Sequence, residues 1–180
     1  MKAVRIFLYL PLLGYLLGCQ SSDTTTTANN HEPTASSKEE RQRNQQVVED
    51  FFRHLEALDV EAFMALWAED GQQVMPFAPE GFPDTLRGKE AIYQQYRSLP
   101  DNYRSMEFPR EIIPMKDPNQ WLARYRGIIP LRNGGQYNNH YVALFELEAG
   151  KIKTYYEYFN PIILQEAFGE GLQDNFNTSN

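Results

Sequence analysis

Three histidines, one cysteine and 24 acidic side chains are the groups with which this 180-residue chain could hold a metal or move a proton. His31, His54 and His140 stand far apart, and none shares the short spacing that brings two imidazoles onto one ion. A lone cysteine forms neither an internal disulfide nor a thiolate cluster. No Gly-x-Ser-x-Gly elbow, phosphate loop or dinucleotide fingerprint occurs, so neither a metal nor a cofactor is expected. What remains is acid–base chemistry, and the segment from His140 to Phe159 is where it would sit. If Ala149 and Gly150 make a two-residue hairpin turn, Leu147 faces Ile152, and the pairing carried back sets Val142 opposite Glu157. One face then holds His140, Val142, Leu144, Glu146, Lys153, Tyr155, Glu157 and Phe159. Glu146 and Lys153 would pair across the strands near the turn. Glu157, deeper in, has apolar and aromatic neighbours with His140 diagonal to it. A carboxylate among apolar groups is costly to ionise, which lifts its pKa toward the range of a general base; the plainer alternative is a sheet-edge glutamate bonded to a backbone amide. His140 is either a second acid–base group or a structural donor. His54, beside Phe51 and Leu55 on a helix, reaches either a cavity or only its rim.

Elements that would position these groups follow from periodicity. Glu39 to Leu58 places Val47, Phe51, Leu55 and Leu58 on one stripe, an amphipathic helix. Asp59 can cap a second short helix carrying Phe63, Leu66 and Trp67, ended by Gly71. Gln72 to Phe77 reads as a strand entering a Pro/Gly loop at Ala78 to Pro83. A third helix, Lys89 to Ser98, has Ile92, Tyr93 and Tyr96 on one side and stops at Pro100. The period then changes to two, giving strands at Tyr103 to Pro114, Gln120 to Leu131, Gln136 to Leu147 and Lys151 to Phe159, with turn signals at Asp117-Pro118-Asn119 and Asn133-Gly134-Gly135. Helices first and strands last predict an α+β domain, with three N-terminal helices covering a curved antiparallel sheet.

The chain is 42% hydrophobic and 13% aromatic, with a formal charge of −7. That supplies one core and the lining of a cavity. No dense Lys/Arg cluster is present to track phosphates, so nucleic acid is not an expected partner. At the amino terminus a short basic start precedes an apolar run, Ile6 to Leu17, too short to cross the ~30 Å hydrocarbon core as a helix. It reads as an export signal. Leu16-Leu17-Gly18-Cys19 resembles the bacterial lipobox, which implies a diacylglycerol on the Cys19 sulfur and cleavage before it; the other reading is an ordinary cleavage site and a free thiol. The expected organisation is a signal peptide at 1–18, lipidated Cys19 with a flexible polar tether at 19–38, a domain at 39–171 and a polar tail at 172–180. Cleavage leaves 15 basic and 24 acidic side chains, a net −9.

From about Val47 to Phe168 the sequence resembles the SnoaL-like branch of the nuclear-transport-factor-2-like superfamily, and within it the phenazine biosynthesis A/B proteins. The residues that carry the likeness are Asp117-Pro118-Asn119 before Trp121, Asn139-His140-Tyr141 through Phe145, Gly150-Lys151-Ile152-Lys153, and Glu157-Tyr158-Phe159-Asn160-Pro161. The resemblance implies a cone-shaped α+β barrel, an apolar pocket between sheet and helices, and dimerisation through the outer sheet face. It also implies cofactor-free isomerisation, cyclisation or condensation of small carbonyl compounds in some members and binding alone in others. Glu157 matches the strand glutamate that acts as acid/base in the phenazine proteins. Their third-helix histidine has no counterpart in Lys89 to Ser98. Ketosteroid isomerases carry an Asp base before a proline on the first strand, and here Met75 precedes Pro76, which argues against steroid isomerisation.

Two functions remain at this stage. The favoured one is a lipid-anchored envelope protein, on the periplasmic face of the outer membrane because Gln20 rather than Asp follows Cys19, that binds a small apolar or aromatic molecule without catalysis and pairs as a homodimer. The other is an enzyme with Glu157 and His140 as catalytic groups. His54, Trp67, Met75, Tyr93, Tyr125 and Tyr155 are the candidate ligand contacts. One carboxylate with no confirmed partner favours binding; exchange of an α-proton of model ketones, lost on Glu157→Gln, would reverse that preference, with Tyr hydroxyls or His140 stabilising the developing charge.

Overall fold

The first helix forms as α1 (Ala35–Glu56), which buries Val48, Phe51, Phe52 and Leu55 together with Asn44; of the expected stripe, Val47 is half-buried and Leu58 lies beyond the helix end. In the computed structural model, residues 35–169 are described. The signal peptide, Cys19, His31 and the polar tail lie outside the described residues. The helix begins at Ala35, so the last four residues assigned to the tether are helical. Asp59 caps α2 (Val60–Ala65), its carboxylate accepting from the Ala62 N–H at 3.0 Å.

Trp67 was expected in that helix and instead opens β1 (Trp67–Val74), which contains Gly71 rather than starting after it. A Cβ on Gly71 would lie 3.0 Å from the Ala68 carbonyl oxygen and 3.1 Å from the Trp67 ring. Glycine is thus required by close approach inside the strand, not as a helix stop. A short β2 (Thr85–Arg87) pairs antiparallel with β1, and α3 (Lys89–Tyr96) and α4 (Leu99–Asn102) follow, the latter with Pro100 in its first turn. The expected strand from Tyr103 shrinks to β3 (Arg110–Pro114), because Pro109 cannot donate to a ladder; Tyr103 and Glu107 make only isolated bridges.

The last three strands, β4 (Gln120–Pro130), β5 (Gln136–Glu148) and β6 (Lys151–Phe159), lie within one residue of expectation. A final α5 (Pro161–Phe168) was missed, although the Asn160 side chain caps it and Pro161 stands in its first turn.

The sheet order is β2-β1-β6-β5-β4-β3. Every neighbour is antiparallel except β1 with β6, which are parallel, so the sheet is mixed rather than antiparallel. The two are separated by most of the domain, long enough for the crossover a parallel pair needs. Helices pack over the concave face. At the centre Phe51 contacts the rings of Phe63, Phe145 and Tyr155 at 5.0, 5.0 and 4.8 Å.

Candidate functional site

Which face Glu157 takes is decided by one extra residue near the hairpin turn. Ala149 and Gly150 both have positive φ, 50° and 75°, as a tight primed turn requires, and Leu147 pairs with Ile152. The next pair is Glu146 with Thr154, which leaves Lys153 as a bulge. Beyond it the register is displaced by one, so Glu157 faces Ala143 and Tyr158 faces Val142. Strand side chains alternate faces, so this turns Tyr155, Glu157 and Phe159 inward with Tyr141 and Phe145. His140 consequently lies on the opposite face, exposed and paired across the strands with Arg126. The Glu146–Lys153 pair does not form either: Lys153 bonds Asp70 and lies 3.7 Å from Glu148.

The inward face and the helices enclose a cavity of about 90 Å³ that Glu157 lines. Glu157 Oε1 accepts from the hydroxyls of Tyr125 at 2.7 Å and Tyr155 at 2.9 Å, and Oε2 accepts from Gln73 Nε2 at 3.2 Å. The two phenol oxygens are themselves 2.7 Å apart. Desolvation pushes the carboxyl above its usual pKa, and the three donors, which favour the anion, only partly offset it. Burial raises both phenols well above the usual tyrosine value, with the Glu157 charge adding to it, so they are donors and not proton acceptors at neutral pH.

A second polar cluster lies on the same cavity. Tyr137 accepts from the Tyr141 hydroxyl at 2.9 Å and from Asn139 Nδ2 at 3.0 Å. With both of these bonds accepted, its own O–H proton is left to point elsewhere. Burial lifts the Tyr137 pKa to about 12, against the pull of those two bonds. The Tyr141 ring stacks on Tyr125 with centroids 4.6 Å apart and planes 4° from parallel, linking the two clusters. Asn139 is itself fully buried and held by Asn160, whose carbonyl accepts from it and whose N–H donates to it.

Of the residues singled out from sequence, Glu157, Met75 and Tyr125 line the cavity, and Tyr155 bonds Glu157 from behind. Trp67 is buried in the core against Phe51, Phe63 and Tyr155, away from the lining. His54 is half-buried on α1 and does not line the cavity; its neighbour Leu55 does. Tyr93 is 39% exposed, because the inward stripe of α3 runs through Ile92, Gln95 and Tyr96. Gln73, Gln95, Tyr137 and Tyr141 were missed. The alternation of β5 marked both tyrosines as sharing a face with Phe145, but nothing marked that face as the inner one. Among the described residues no group of His, Cys, Asp or Glu is placed to hold a metal ion.

The sequence model of the SnoaL-like domain matches residues 48–155. The uncharacterized Bacillus subtilis protein YesE is 30% identical over 122 residues, 66% of this chain and 82% of that protein. The phenazine biosynthesis protein PhzA1 of Pseudomonas aeruginosa is 31% identical over 133 residues, 65% of this chain and 82% of that one. Among solved structures, a Bacillus subtilis protein described as a candidate isomerase superposes with a TM-score of 0.67 at 27% identity, covering 73% of this chain and 96% of that one.

Proposed function

The chain belongs to the SnoaL-like domain family, and from that premise we propose that it moves a proton on a small carbonyl compound held in the cavity, with Glu157 as acid and base. The observation that carries this is the Glu157 carboxylate, set in an apolar cavity with its pKa raised and its oxygens oriented by Tyr125, Tyr155 and Gln73. In the forward step the carboxylate takes a proton from the carbon next to the carbonyl. The C–H electron pair forms a C=C bond, and the C=O π pair moves to oxygen, giving an enolate. The Tyr137 O–H, freed by its two accepted bonds, donates to that oxygen. Glu157-H then either trades its proton with solvent and returns the new one to the same carbon, which is exchange, or delivers its proton to another carbon, which isomerises the compound. Atoms and electrons balance without a cofactor. The names of similar proteins, a candidate isomerase and a phenazine biosynthesis protein, are in keeping with such chemistry. A cavity of about 90 Å³ limits the substrate to a small compound of about one five-membered ring.

Hydrogen–deuterium exchange at the α-carbon of cyclopentanone, followed by proton NMR, tests the proposal. The wild-type chain should accelerate exchange, and Glu157→Gln should lower the rate by about 10²-fold or more. Exchange that is unaffected by Glu157→Gln, or a wild type that leaves the uncatalysed rate unchanged, rejects it. The second reading, binding without catalysis, is favoured by the bonds that already occupy both oxygens of Glu157; saturable binding without exchange would select it.

The same proposal places the protein at the bacterial envelope, held by lipid on Cys19 on the periplasmic side of the outer membrane, as a homodimer. Exposed Val142 and Tyr158 on the outer sheet face, with Phe77 of the turn after β1 against Tyr158, support the pairing surface.

A further inference from the structure

The charge inventory of the cavity is one-sided: among the described residues Glu157 is the one charged side chain in its lining, and no Arg, Lys or His joins it. An anionic ligand would sit unpaired beside a carboxylate at low dielectric, where repulsion is strong. The neutral polar groups point the other way. Gln73 is 2% exposed, and its Nε2 is committed to Glu157 Oε2 at 3.2 Å and Met75 Sδ at 3.5 Å. That fixes the amide plane and leaves Gln73 Oε1 buried with no partner. A buried acceptor without a donor is rare and costly, and a ligand N–H or O–H is what can satisfy it. Gln95, 7% exposed on the inward face of α3, also lines the cavity, and its side-chain amide makes no hydrogen bond to the described residues.

Resting on the catalytic reading above, we propose that Gln73 and Gln95 make the cavity selective for a neutral carbonyl compound bearing an N–H or O–H donor next to its carbonyl, and that carboxylates and phosphates are refused. Gln73 Oε1 accepts from the donor, while Gln95 supplies the complementary bond from α3. The lactam, hydroxyketone and enol classes fit this pattern; simple ketones satisfy only half of it.

Three probes of matching size separate the possibilities: 2-pyrrolidinone, with carbonyl and N–H; cyclopentanone, with carbonyl alone; and isobutyrate, an anion. Their dissociation constants for the full chain are read by ligand-observed NMR at pH 8. The lactam should bind about tenfold or more tighter than the ketone, and isobutyrate should give no saturable signal. Gln73→Met should bring lactam and ketone within about twofold of each other, and Gln95→Met should narrow the gap independently should the first variant fail to fold. Isobutyrate binding as tightly as the lactam, lactam and ketone binding alike to wild type, an unchanged preference in Gln95→Met, or no binding by any probe would each overturn the proposal. Failure here differs from failure of the catalytic reading. Deuterium exchange without lactam preference defeats only the selectivity, and lactam preference without exchange defeats only the catalysis.

Discussion

At Glu157 burial and hydrogen bonding act in opposite directions, and burial prevails, holding the carboxyl above its usual pKa. The consequence for stability has a definite sign. The folded pKa exceeds the unfolded value of ~4.3, so the folded state binds the proton more tightly. The linked stabilisation is complete below about pH 4 and is lost as pH rises through the folded pKa, after which it stays lost. Urea unfolding of wild type and Glu157→Gln from pH 4 to pH 8 should therefore show the wild type losing ground relative to the variant, by about 1.4 kcal/mol for each pH unit crossed up to the folded pKa, with a flat difference beyond it. A difference that moves in wild type's favour with rising pH would mean that Tyr125, Tyr155 and Gln73 hold the group ionised. The place of Glu157 among aromatic side chains at the cavity was legible because a carboxylate between aromatic neighbours on a strand is conspicuous. Gln73 and Gln95 were not, since a neutral amide has the same appearance in sequence whether it faces solvent or a cavity.

Among the elements, the bulge at Lys153 had the largest effect on which residues meet, and it left no trace in the residue pattern. Alternation of Tyr155, Glu157 and Phe159 is the same on either face, so sequence gave their grouping correctly and their partners wrongly; His140 was assigned to a face it does not share. Long periodic strands were readable to within a residue, whereas β2 and α4 are too short to show a period. The placement of α1 rests on a polar contact that sequence did not single out. Asn44, fully buried, donates through Nδ2 to the Pro118 carbonyl at 3.1 Å and to Asn119 Oδ1 at 2.8 Å, tying the helix to the turn that precedes β4. Trp121 Nε1 donates to the same carbonyl at 3.1 Å, and Arg41 bonds the Met115 and Lys116 carbonyls nearby. Asn44→Ala should cost about 1–3 kcal/mol in urea unfolding, because it leaves Asn119 without its donor. A cost within the ordinary surface range of ~0.5 kcal/mol would show that the other bonds of the turn, including those of Trp121 and Arg41, hold it without Asn44.

For the whole molecule, the α+β class was legible from the segregation of helices and strands, but the parallel join of β1 to β6 was not, since it depends on how the ends of the domain meet rather than on any local period. The same scale decides how the protein would meet a membrane. Among the described residues no helix is long and apolar enough to span one. After cleavage before Cys19 the chain would carry −9, which repels anionic headgroups and leaves no electrostatic route to the bilayer. Attachment would then rest entirely on the acyl chains proposed for Cys19, and two chains suffice for stable anchoring where a single one is marginal. Partition between detergent-rich and aqueous phases measures this directly. The wild-type chain from bacterial cells should enter the detergent phase, and Cys19→Ser should move nearly all of it to the aqueous phase while leaving probe binding in the cavity unchanged, because the lining residues all lie within the domain. Wild type in the aqueous phase would rule out lipidation. Cys19→Ser remaining in the detergent phase would instead locate the anchor in the uncleaved apolar run from Ile6 to Leu17.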